Sequence, residues 1–209
     1  MKRIGIYVTI MIVCITLVDQ ILKFWIKLTF PEGGGFDILG LEWAKIQFIE
    51  NEGMAFGWLL GGDIGKLLLT SFRLVAVPMG MYYIYYLIEN KYHTGLVFSV
   101  ALIVAGALGN LIDSVFYGVI FSHSMGQVAT LFPEGGGYST LLRGHVVDMF
   151  YFPMIETTWP VWVPILGGTR LLFFQYIFNI ADSAITIGVI TILLFQNRFL
   201  KETKPVRNL

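Results

Sequence analysis

The sequence predicts an all-α integral membrane protein with four transmembrane helices, a small external β-containing segment and an external loop insertion. Three observations lead there. Hydrophobic residues make up 56% of the chain and charged residues only 13%, with a mean hydropathy of +0.73, whereas soluble domains carry roughly 25% charged residues. Apolar windows at about 4–25, 67–88, 94–116 and 171–195 are each long enough to cross a bilayer. Lysine and arginine gather before the first window (Lys2, Arg3), between the second and third (Lys91) and after the fourth (Arg198, Lys201, Lys204, Arg207). By the positive-inside rule these regions are cytoplasmic, which requires an even number of spans and puts both termini inside.

The elements follow in order. The first window imitates a signal peptide, but no small-x-small cleavage site follows. The chain runs on through Val18-Asp19-Gln20-Ile21-Leu22-Lys23, which reads as an uncleaved span. Residues of about 26–66 are then external, and within them 41–58 begin with partial alternation of apolar and polar residues, the mark of a short strand or hairpin broken by Gly53 and Gly57. The second span carries Arg73 near its outer end, where it snorkels or answers an acid. In the third, Gly106 and Gly109 offer a small surface on which a neighbouring helix can approach closely. The second external segment, about 117–170, holds Phe150-Tyr151-Phe152, Trp159-Pro160 and Trp162 to Pro164, suited to a headgroup boundary. A repeat, Phe30-Pro-Glu-Gly-Gly-Gly-Phe36 and Phe132-Pro-Glu-Gly-Gly-Gly-Tyr138, occurs once in each external segment and reads as a turn. Trp25, Trp43, Trp58, Trp159 and Trp162 all fall at or beyond external ends. Residues 1–209 are expected to form a single membrane domain.

Several functions are disfavoured by the same composition. A formal net charge of zero, with no basic run, gives nucleic acid no electrostatic footprint. The lone Cys14 has no internal disulfide partner, and no zinc-ligand spacing is present.

Asp182 is the only formal charge between Leu171 and Phe195. A carboxylate inside a span costs roughly 2.5–3.5 kcal/mol on insertion scales, so it usually faces a polar cavity. Asp148, in Val146-Val147-Asp148-Met149, is a second acid in apolar surroundings. Span parity brings Asp19 and Lys23, Asn110 and Asp113, and Asn179 and Asp182 to one membrane boundary, together with Asn51 and Asp148 from the external segments. The inner halves of the spans are nearly pure apolar residues, whereas a transport path needs polar groups across the whole depth. Asp19 and Lys23 are spaced i,i+4 and can pair, while Asn110–Asp113 and Asn179–Asp182 share helix faces at i,i+3.

Two carboxylates in a partly desolvated site can share one proton, making one the base and the other the acid in the hydrolysis of a peptide bond. Asp148 and Asp182 suit that work. A Ser183–His145 arrangement and a His145, Asp148, Asp182 metal set are weaker alternatives on spacing. A non-enzymatic class, an ion-coupled carrier or a lipid-binding scaffold, competes with hydrolysis and is disfavoured by the one-sided clustering.

With these residues in view the chain resembles the lipoprotein signal peptidases, or signal peptidase II, aspartic peptidases of the bacterial cytoplasmic (inner) membrane. The resemblance covers nearly the whole chain. It rests on Val18-Asp19-Gln20 through Lys23, Asn51-Glu52-Gly53-Met54-Ala55-Phe56-Gly57, Gly106-Ala107-Leu108-Gly109-Asn110-Leu111-Ile112-Asp113, Val146-Val147-Asp148 and Phe178-Asn179-Ile180-Ala181-Asp182-Ser183. It implies that Asp148 and Asp182 are catalytic and that Asp19, Lys23, Asn51, Gly53, Asn110, Asp113, Asn179, Ala181 and Arg143 line or brace the substrate site. It also implies cleavage N-terminal to a diacylglyceryl-cysteine of a prolipoprotein, with no metal or cofactor, by an expected monomer among membrane lipids. Two departures stand out. Ser114 occupies the place where the family usually has arginine, so Arg143 or Arg73 is expected to supply that cation, with a solvated loop residue as the alternative for Arg143. The connection from Asp113 to Asp148 is longer than usual, making 117–143 an insertion that can act as a lid or as an amphipathic element at the lipid entrance.

Overall fold

The computed structural model describes residues 2–51, 63–164, 167–173 and 175–201. Helix α1 (Lys2–Lys27) is followed by strands β1 (Gly35–Asp37) and β2 (Lys45–Asn51), helix α2 (Asp63–Glu89) and helix α3 (Thr94–Ile112). A π-helical turn over Asp113–Tyr117 and the short α4 (Gly118–Ile120) prolong α3 without a break. Strands β3 (Val146–Tyr151), β4 (Ile155–Thr158), β5 (Arg170–Phe173) and β6 (Ile177–Phe178) precede the last helix, α5 (Ile180–Lys201). The expected hairpin at 41–58 appears as β2 as far as Asn51; Gly53 and Gly57 lie outside the described residues.

Among the described residues four helices are long and apolar enough to span a membrane, and the chain is a multi-pass membrane protein. Helix α3 is central: 56% of its most apolar window is buried within the protein, against 17% in the other three, whose remaining apolar surface is left for lipid. Packing is closest between α3 and α5. A Cβ on Gly106 would run into the Ala181 carbonyl oxygen, and one on Gly109 would come within 2.8 Å of Asp19 Oδ2. These glycines let backbones approach where larger residues would separate the helices. In α2, Pro78 removes one backbone bond, a loss tolerated in spans because neighbouring helices re-satisfy the freed group.

The fourth span begins later than the apolar run suggests. Leu171 to Phe173 pair with Ile155–Thr157 in an antiparallel β4–β5 hairpin, and the helix starts only at Ile180. Length of apolar run alone does not distinguish a buried strand from a helix, and a capping sequence sets the boundary. Asp182 therefore lies in the first turn of a helix and not at the middle of a span.

The larger sheet has the order β1-β2-β3-β6, all pairs antiparallel. Ile49 opposes Asp148 and Asn51 opposes Val146, after an irregularity between Ile46 and Ile49. An apolar cluster of Ile26, Ile46, Phe48, Tyr117, Phe121, Ala129, Val147 and Met149 joins the sheet to α1 and to the end of the third span. The insertion belongs to this cluster. Phe121 and Ala129 are in its core and Tyr138 packs on it, so 121–143 form a cap that is closed on itself by the bridge Phe121↔Leu131 and tied to the first external segment by Pro31↔Val128. Both copies of the repeat form turns, closed by Gly34 N–H to Pro31 O and Gly136 N–H to Pro133 O, each 2.9 Å. Gly33 (φ +85°) and Gly136 (φ +86°) adopt left-handed backbone that favours glycine.

Candidate active site

The site is built where the C-terminal ends of α1 and α3, the start of α5 and strands β2 and β3 meet. Lys23 anchors it. Its buried ammonium has three donors and three acceptors: Asp113 Oδ2 at 2.7 Å, Asp19 Oδ2 at 2.8 Å and Asn110 Oδ1 at 2.9 Å. A charge this deeply buried persists only with such pairing. The two acids also reach outward. Asp19 Oδ1 accepts from Ala181 N–H at 3.0 Å, tying α1 to the first turn of α5. Asp113 accepts from Gln20 Nε2 at 2.8 Å and from Val147 N–H at 3.3 Å, tying α3 to β3.

Asp182 is fixed by reciprocal capping. Asn179 Oδ1 accepts from Asp182 N–H at 2.8 Å, and Asp182 Oδ2 accepts from Asn179 N–H at 3.4 Å, the N-cap and N3 exchange that starts a helix. The carboxylate also sits at the positive end of the α5 dipole and accepts from Asn110 Nδ2 at 2.8 Å. Asp148 comes from β3. Asn179 Nδ2 donates to its Oδ1 at 2.7 Å and Asn51 Nδ2 to its Oδ2 at 3.0 Å. Asn179 thus touches both acids, through its amide nitrogen to Asp148 and through its amide oxygen to the Asp182 backbone. Its amide nitrogen also donates to Asn110 Oδ1 at 3.1 Å. Among the described residues no buried side-chain nitrogen or oxygen lacks a partner, as a rigid polar cluster in an apolar setting requires.

Burial and the neighbouring Asp182 charge push the Asp148 carboxyl up to about 7, against the lowering effect of the Asn51 and Asn179 hydrogen bonds. Asp148 therefore keeps its proton for part of the time near neutrality, the state a general acid needs.

The structure brings Asp19, Lys23, Asn51, Asn110, Asp113, Asn179, Ala181, Asp148 and Asp182 into one hydrogen-bonded assembly; Gly53 lies outside the described residues. Arg143 sits in a turn, its N–H on Thr140 O at 3.2 Å. The arginine beside Ser114 is Arg73, whose Nη1 donates to Ser114 Oγ at 3.0 Å. Ser183 and His145 are engaged elsewhere: Ser183 Oγ donates to Asn179 O at 3.0 Å, and His145 Nδ1 meets Glu50 Oε2 at 3.0 Å.

Sequence reasoning did not single out Gln20, Tyr117, Lys27 or Glu50 as site residues. Gln20 links Asp113 to the Tyr117 hydroxyl, which donates to Gln20 Oε1 at 3.1 Å. Lys27 pairs with Glu50, the residue before Asn51, and donates to Ser124 Oγ at 2.9 Å under the rings of Phe48, Phe121 and Tyr138. Burial alone would raise the Glu50 carboxyl, but the His145 hydrogen bond and the Lys27 ammonium outweigh it and bring it down to about 2. The i,i+4 row Asp19, Lys23, Lys27 on α1 was the available signal.

The fold defines a multi-pass membrane protein with a buried cluster of acids and amides at one end of its helices. The family profile of signal peptidase (SPase) II matches residues 11–198, and the chain belongs to that family. A lipoprotein signal peptidase of Porphyromonas gingivalis is 48% identical over 195 residues, 93% of this chain and 84% of that protein. One from Amoebophilus asiaticus is 36% identical, covering 85% and 72%. Two solved structures described as bacterial membrane enzymes share the fold. One has a TM-score of 0.58 at 25% identity, covering 95% of this chain and 92% of its own; the other has 0.57 at 24%, covering 91% and 92%.

Proposed function

We propose that Asp148 and Asp182 are the catalytic pair of an aspartic endopeptidase that removes signal peptides from diacylglyceryl-modified prolipoproteins, cutting N-terminal to the lipidated cysteine. The observation that carries this reading is the position of Asn179, bonded to Asp148 by its side chain and capping the helix that presents Asp182. With the shared proton on Asp148, Asp182 accepts a proton from water as the water oxygen attacks the carbonyl carbon preceding the cysteine. Asp148 gives its proton to the carbonyl oxygen, forming a neutral tetrahedral diol. As the C–N bond breaks, Asp182 passes its proton to the departing nitrogen and Asp148 regains one from a diol hydroxyl. The products are a signal peptide with a new carboxyl group and a lipidated cysteine with a free amine.

The site faces the external side of the bacterial inner membrane, with both termini in the cytoplasm. The lysine and arginine distribution supports this orientation, as does the gathering of sheet and acids at one end of the helices. Asp19, Lys23, Asn51, Gly53, Asn110, Asp113, Asn179 and Ala181 brace the pair or line the substrate path. Every side chain holding the pair comes from one chain, so a monomer among lipids suffices. The test is the mass of a diacylglyceryl-cysteine prolipoprotein peptide after incubation with the purified protein. Two fragments separated at the bond before the cysteine are expected, and an intact peptide or a cut elsewhere overturns the assignment.

A further inference from the structure

We propose that Arg73, delivered from α2, is the substrate-anchoring cation of this site and binds a backbone carbonyl oxygen of the prolipoprotein segment lying beside the acid pair. The inference rests on the reading of Asp148 and Asp182 as the reacting groups. Three observations place Arg73 there. Its guanidinium reaches the residue that follows Asp113, donating to Ser114 Oγ at 3.0 Å, and Ser114 Oγ in turn donates to Asn110 O at 2.8 Å. The charges that act on it are Asp182 first, then Asp113 and Asp148, so it lies within electrostatic reach of the acids while belonging to a helix that carries none of them. That Ser114 bond is also its only side-chain hydrogen bond among the described residues, although a guanidinium has five N–H donors.

The other cation at the acids is already committed. Lys23 gives all three of its donors to Asp19, Asp113 and Asn110, leaving nothing for a ligand. Arg73 has donors to spare and a half-buried setting in which a hydrogen bond from a charged donor is strong. Peptide carbonyls are what an extended substrate presents along its length. The anchor sits on α2, whose contacts with α1 are sparse and whose main packing partner is α3. Ser114 acts as the bracket: its hydroxyl donates to the Asn110 carbonyl one turn earlier and accepts from Arg73 Nη1, which holds one arm of the guanidinium and leaves its other donors for a ligand.

The test compares kcat/KM for cleavage of a diacylglyceryl-cysteine prolipoprotein peptide, with thermal unfolding measured on the same preparations. Arg73→Gln, which keeps a donor for Ser114, is expected to lose about 10- to 100-fold in kcat/KM with an unchanged melting temperature. Arg73→Lys recovers only part of the loss, since a point charge lacks the planar fork. Arg73→Ala combined with Ser114→Arg is expected to return activity to within about threefold of wild type, because the side chain at 114 points toward the place the guanidinium left. Wild-type kcat/KM in Arg73→Gln overturns the proposal, as does a double variant that melts normally yet is no more active than Arg73→Ala. A purely structural arginine would lower the melting temperature in all three and would not be replaced from another helix. A wild-type protein that cuts nothing defeats the function itself; an active wild type with an indifferent Arg73 defeats only the anchor.

Discussion

Replacing Asn179 separates two duties that one side chain performs. Its amide oxygen caps α5 through the 2.8 Å bond from Asp182 N–H, and its amide nitrogen holds Asp148 at 2.7 Å. Serine is as good an N-cap as asparagine, but its hydroxyl is too short to reach across to Asp148. Asn179→Ser therefore keeps Asp182 in place and releases Asp148, whereas Asn179→Ala loses both. A hydrogen bond to a carboxylate contributes about 1.5–3 kcal/mol, so releasing Asp148 should lower kcat by roughly 10- to 150-fold in either variant. Loss of the cap adds roughly 1 kcal/mol of instability in Asn179→Ala alone. Steady-state cleavage of a lipidated peptide and chemical or thermal unfolding in detergent read the two quantities. A serine variant with the wild-type rate would refute the claim that Asn179 positions the acids. Equal stability of the two variants would refute the capping role.

Other consequences are open to measurement. Asp148, held near 7, lies above the roughly 3.9 of an unfolded aspartate, so its protonation favours the folded state at low pH and that contribution fades between about pH 4 and 7. Asp148→Asn should consequently melt higher than wild type at about pH 8 and no higher at about pH 4, and wild-type kcat/KM should fall above about pH 7; a flat profile there contradicts the shared proton. Gly106→Ala drives a methyl group into the Ala181 carbonyl and should destabilise by about 1–3 kcal/mol, while Gly5→Ala, with open space around it, should be nearly silent in the same unfolding assay. Glu50→Ala strands the buried Lys27 ammonium and should cost about 3–5 kcal/mol, most of which Glu50→Leu with Lys27→Met should recover; equal instability of both would deny the pairing. A reporter inserted at Gly136 should be external, and a cytoplasmic signal would reverse the orientation argued from the basic residues.

Much of the site was legible because polar residues stand out against an apolar chain and span parity sorts them to one end. Asp19 with Lys23 and Asn110 with Asp113 could be grouped from spacing alone. The later start of α5 was not legible, since Leu171-Leu172-Phe173 is as apolar as the helix that follows. The deciding feature was the Asn179–Asp182 capping exchange, which a hydropathy window does not register. The role of 121–143 was hidden for another reason: its packing depends on Phe121 and Tyr138 meeting Lys27 from a distant segment. Arg73 was visible as an isolated charge, but its partner Ser114, in the π-helical turn that prolongs α3, emerged only from the crossing of two helices.

The central claim is that one proton moves between Asp148 and Asp182, and the most direct measurement is single-turnover cleavage by Asp148→Asn and Asp182→Asn with the protein shown to be folded. An amide has the shape of the carboxyl but cannot shuttle the proton, so each variant should lose nearly all activity while retaining the wild-type helix content and detergent-extracted monodispersity. Retention of more than about a tenth of the wild-type rate by either variant, a barrier change of only ~1.4 kcal/mol, would contradict the account.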